Sequence, residues 1–79
     1  MKWTDYITSD PGILLGKPTI KGTRISVEFL LERLAGGWTE EMIFESYPHL
    51  RREQILAMYA YLRDIMETEL YFPLPKQRS

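Results

Sequence analysis

Between Gly16 and Val27 the chain changes character, and that change limits what it can fold into. The stretch Gly16-Lys17-Pro18-Thr19-Ile20-Lys21-Gly22-Thr23-Arg24-Ile25-Ser26-Val27 holds three cations, no acid, two glycines and a proline. Before it, short apolar runs alternate with turn residues. After it, apolar residues recur at helical spacing. A strand-like arm must therefore pass through a basic hinge into a helical body.

In the arm, Trp3 to Thr8 reads as a short strand, with β-branched and aromatic residues at Tyr6-Ile7-Thr8. Ser9-Asp10-Pro11-Gly12 reads as a turn, because proline presets φ at the second position. Ile13-Leu14-Leu15 is a second apolar run, stopped by Gly16. Pro18-Thr19-Ile20 and Thr23-Arg24-Ile25 are spaced to pair as a hairpin, with Gly22 where the turn needs a positive φ. Strands this short are not stable alone and must pack on the helices or on another chain's edge.

Three helices follow. Ser26 is placed to cap a helix over 27–35, whose Val27, Leu30, Leu31 and Leu34 share one face, and Gly36-Gly37 ends it. Thr39 caps the next, with Glu40 and Glu41 in its first turn and Met42, Ile43 and Ser46-Tyr47 on its inner side. Pro48 stops that helix, since the residue before proline is pushed out of the helical region. After Pro48-His49-Leu50 the longest helix runs over about 52–70, with Ile55, Met58, Tyr59, Leu62, Ile65, Met66 and Glu69 tracing its stripe. A short acid-led helix, a tight turn and a longer helix have the proportions of a helix-turn-helix. The fold expected is mainly α, a three-helix helix-turn-helix (homeodomain-like) core behind a short N-terminal β arm or hairpin. Residues 1–70 form a single domain, 1–25 being arm and hinge and 26–70 the core. Residues 71–79, broken by Pro73 and Pro75, form a C-terminal tail.

Composition narrows the function. Seventy-nine residues bury a small core, which a partner subunit would help greatly, so a dimer through the arm and the third helix is expected. With no cysteine there is no disulfide framework and no thiolate metal site. The start Met1-Lys2-Trp3-Thr4-Asp5 lacks the apolar core of a signal peptide and no run is long enough to span a membrane, which predicts a soluble, cytoplasmic protein. A net charge of −1 argues against a general nucleic-acid binder.

At these spacings Ile7-Thr8-Ser9-Asp10-Pro11, Gly16-Lys17-Pro18, Ile20, Gly22-Thr23-Arg24-Ile25, Val27, Gly37, Tyr47-Pro48, Leu50 and Ile55 resemble the domain of unknown function 433 family (DUF433). The resemblance implies a homeodomain-like core with a short β arm. It also implies a VapB-like antitoxin of a type II toxin–antitoxin pair, partnered with a toxin of the PIN-nuclease-like class and binding operator DNA as a dimer. Where that family usually offers Thr or Ser to cap its third helix, this chain has Arg51.

Individual residues carry sharper expectations. Arg51, Arg52 and Gln54 stand where a recognition helix presents base-reading side chains, Arg to guanine and Gln to adenine. Lys21 in the hinge adds a fourth DNA contact. Against this, Arg51 and Arg52 face Glu53 and the acidic second helix, and Glu40, Glu41 and Glu45 would repel phosphates. Arg24 is expected to pair with Asp10 and tie two turns together, a structural role shared with Gly22. His49 is expected to be a structural hydrogen-bonding residue. In the tail, Tyr71, Phe72 and Leu74 are candidate anchors for a partner groove. A lone histidine and scattered carboxylates predict no catalytic residues, no metal site and no cofactor. The alternative to the antitoxin is a protein-interaction or adaptor domain with no DNA role.

Overall fold

The computed structural model describes residues 2–68. Its order is β1 (Ile7–Thr8), β2 (Thr19–Ile20), α1 (Val27–Ala35), α2 (Glu40–Ser46) and α3 (Arg52–Thr68), a mainly helical chain behind a short antiparallel arm. The helices start and stop where their caps require. Ser26 Oγ accepts the Phe29 N–H at 2.9 Å, and Thr39 Oγ1 accepts the Met42 N–H at 3.2 Å. Each removes one unpaired donor from a first turn. At the end of α1, Gly37 adopts φ 104°, its N–H bonds to the Leu34 carbonyl at 3.1 Å, and the Trp38 N–H bonds to the Arg33 carbonyl at 3.0 Å. That pair of bonds is a complete Schellman closure.

The arm departs from the expected strands in three places. Trp3–Asp5 is a single 3-10 turn rather than strand, so only Ile7 and Thr8 remain extended. Ile13-Leu14-Leu15 is not a strand either. Leu14, Leu15 and Gly16 all take left-handed backbone, with φ of 50°, 57° and 82°. Third, β2 pairs with β1, Ile7 opposite Ile20 and Thr8 opposite Thr19, and not with a strand at Thr23-Arg24-Ile25. The return leg makes only one bridge, Thr19 to Ser26, and a bond from the Ile20 N–H to the Ile25 carbonyl at 2.9 Å. The tight turn itself is as expected. Thr23 N–H closes on the Ile20 carbonyl at 3.0 Å, with Gly22 at φ 81°.

The core comprises Ile7, Ile20, Val27, Leu30, Ile43, Leu50, Ile55, Ala57 and Met58, so arm and helices share one apolar centre. Two polar side chains lie within it, each with a bond: Thr19 donates to the Thr8 carbonyl at 3.3 Å and Ser26 serves as a cap. The stripe of α3 is rotated relative to the expected one. Ala57 is buried and Tyr61 packs on the core, whereas Tyr59 and Met66 face outward. The reason is the Trp3–Asp5 turn, which packs on α3. Trp3 meets Tyr61 edge-on with ring centroids 4.8 Å apart, and its Nε1–H donates to Asp64 Oδ2 at 2.6 Å. This clamp joins residues 61 positions apart and was not legible in the helical pattern.

Candidate functional site

At the corner between α2 and α3 the candidate DNA-reading side chains are engaged internally. Arg51 precedes α3 and its N–H donates to Gln54 Oε1 at 2.7 Å. This is the reciprocal half of a capping box, made without the Ser or Thr that usually forms the other half. Gln54 has thereby spent its acceptor on the helix start. Arg52 Nη1 lies 3.1 Å from Glu40 Oε1, and Tyr59 Oη donates to Glu40 Oε2 at 2.9 Å. One carboxylate at the start of α2 thus holds two side chains of α3. Partial burial, then the bond to Glu40 and its negative charge, raise the Tyr59 phenol above its ordinary pKa. Glu41 and Glu45 are exposed on the same short helix, so the corner presents acid as well as base.

The hinge behaves differently from expectation. Arg24 forms no ion pair among the described residues, and Asp10 does not reach it. Asp10 Oδ1 instead accepts the Gly12 N–H at 2.9 Å, and its carbonyl accepts the Ile13 N–H at 2.8 Å, so the acid closes its own turn. His49 is exposed and its side chain makes no hydrogen bond among the described residues, contrary to its expected role. Lys21 is exposed at the tip of the turn, held by its backbone N–H to the Tyr6 carbonyl at 2.7 Å. A shallow groove joins this turn to the α2–α3 connection through Arg24, Ile25, Pro48, His49 and Leu50. Lys21 and Arg51 each stand one residue beyond the segments that line it.

Two further grooves flank α1. One, of about 470 Å³, lies between α1 and α3 and is mostly apolar, with Val27, Leu31, Ala35, Tyr61, Leu62 and Ile65 on its walls and Glu28 and Glu32 at its edge. The other lies beside the left-handed turn, with Leu14, Leu15 and Phe29 between Lys17, Arg24, Glu28 and Glu32. Lys17 Nζ donates to Glu28 Oε1 at 2.7 Å, and that bond and charge raise the lysine's pKa. The α1–α3 groove escaped the sequence reading because its apolar walls, Val27, Leu31, Leu62 and Ile65, read as ordinary helix interior. Tyr71, Phe72 and Leu74 lie outside the described residues. Among those described, no group of three or more His, Cys, Asp or Glu could hold a metal, and no helix is long and apolar enough to cross a membrane.

A family model described as "Protein of unknown function (DUF433)" matches residues 7–62. The chain is 37% identical over 51 residues to uncharacterized protein y4eO of Sinorhizobium fredii, covering 65% of this chain and 23% of that protein. The crystal structure of a DUF433 member from Anabaena variabilis superposes with a TM-score of 0.72 at 30% identity. That match covers 77% of this chain and 60% of the other. The chain therefore spans less than a quarter of the first relative's length and three fifths of the second's.

Proposed function

The chain belongs to the DUF433 family, and on that premise we propose that it is a protein-binding module without chemistry of its own, an antitoxin-type regulator of a PIN-nuclease-like partner. The observation that carries this reading is the open apolar groove between α1 and α3. Leu31, Leu62 and Ile65, half-buried on its walls, stand where an apolar segment of another protein gains by leaving water. The groove reaches Ile65 in the last turn of α3. The corner at Arg51, Arg52 and Gln54 supports DNA reading less well, because Arg52 and Gln54 have partners within the fold.

The test is co-expression with the product of the neighbouring reading frame, which this reading expects to be a PIN-like nuclease. The two proteins are expected to co-elute and the nuclease to lose activity. Leu62→Glu is expected to abolish both effects while the far-ultraviolet circular dichroism stays helical. A nuclease fully active in the presence of excess wild-type chain overturns the reading. Filter binding to the upstream DNA at rising salt tests the operator role. Affinity falling steeply with salt, as phosphate contacts require, would assign the DNA surface to Lys21 and Arg51.

A further inference from the structure

Leu14 and Leu15 combine two observations that rarely coincide. Both hold left-handed backbone, at φ 50° and 57°, a conformation that costs a residue with a Cβ about 1–2 kcal/mol. Leu15 is also 95% exposed, so the strained turn gains nothing from burying that side chain in its own core. Strain retained with no internal return directs attention to what the turn presents. It presents a leucine, at the rim of a groove whose floor includes Phe29.

The charges around that groove say what it fits. Lys17 and Glu28 neutralise one another at 2.7 Å. Arg24 and Glu32 form no ion pair among the described residues, and both line the same groove. Among the lining residues one cation and one anion are therefore uncommitted, and the Arg33 guanidinium lies 4.6 Å over the Phe29 ring beside them. A patch of that kind is complementary to itself: turned about a two-fold axis, its cation meets its own anion twice.

We propose that this face receives a second copy of the chain, with Leu15 of each protomer seated beside Phe29 of the other and Arg24 facing Glu32 of the partner subunit. The contact is made by the hinge turn and α1, and it touches the α1–α3 groove only at Glu28 and Glu32 on that groove's edge. It stands whether or not the partner of that groove is a nuclease.

Sedimentation velocity over a range of concentrations tests the proposal. The wild type is expected to dimerise. Leu15→Asn keeps a residue that tolerates left-handed backbone and removes the apolar anchor. Because two leucines leave the interface, dissociation is expected to strengthen by about a hundredfold or more. Arg24→Glu alone and Glu32→Arg alone are each expected to be monomeric, since like charges then face each other twice. An equimolar mixture of the two is expected to dimerise, because both facing pairs become opposite in sign. That pattern requires direct contact between these two positions of neighbouring protomers, and association that stops at the dimer makes the contact two-fold. A wild type that stays monomeric, a Leu15→Asn chain that associates as the wild type does, or a mixture that stays monomeric overturns the proposal. Unchanged melting temperatures of the dilute variants separate lost association from lost folding.

Discussion

At Gly22 the backbone sits at φ 81°, and a Cβ placed there would meet no heavy atom within 4 Å. The cost of Gly22→Ala is therefore purely conformational, about 1 kcal/mol, which lowers the melting temperature by about 4–8 °C for a domain this small. Trp3→Phe isolates a different quantity. It keeps an aromatic edge against Tyr61 and removes the donor to Asp64, a bond to a partly exposed carboxylate. Thermal melts are expected to show a loss of about 1 kcal/mol. In dilute, monomeric protein Arg24→Ala is expected to leave the melt unchanged, because the ion pair with Asp10 that its position invites is not formed. The sequence shows that an arginine and an aspartate flank the hinge. It does not show that an aspartate before Pro-Gly satisfies its carboxylate two residues on, which removes the need for the arginine.

The helices were readable because cap, face and breaker agree at each: Ser26 with Gly37, Thr39 with Pro48. In the arm no such agreement exists. Two-residue strands have no period to detect, and Ile7 pairs with Ile20 across a connection whose shape depends on leucines in left-handed backbone, a conformation their type disfavours. The rotation of α3 was hidden for a related reason, since Trp3 selects which of two apolar edges turns inward. Between α2 and α3, burial first and the bond to Glu40 second give Tyr59 a pH dependence. The Tyr59 phenol is raised in the fold, so the folded chain holds its proton more tightly than the unfolded chain. The associated stability is fully present below the ordinary phenol value of 10.0 and is lost as pH rises through the folded value. Urea midpoints are expected to fall between neutral pH and pH above 10, and the fall should be smaller in Tyr59→Phe. An equal fall in the two proteins would remove Tyr59 as its source.

As a whole, the molecule carries positive charge in the hinge and at Arg51, acid along α2, and an apolar groove that adjoins the left-handed turn's leucines across Glu28 and Glu32 of α1. Truncation after Leu70 is expected to weaken nuclease binding, and undiminished binding by the shortened chain would assign the interface to the groove alone. The clamp between Trp3 and Asp64 has a consequence in time. At about 5–20 residues per second of synthesis, a separation of 61 residues delays its closure by roughly 3–12 s. Through that interval Trp3 has neither Tyr61 nor Asp64 to dock on, and α1 and α2 can form from local contacts alone. During translation the arm is therefore the part in need of protection, and the emergence of the second half of α3 is the event that relieves it.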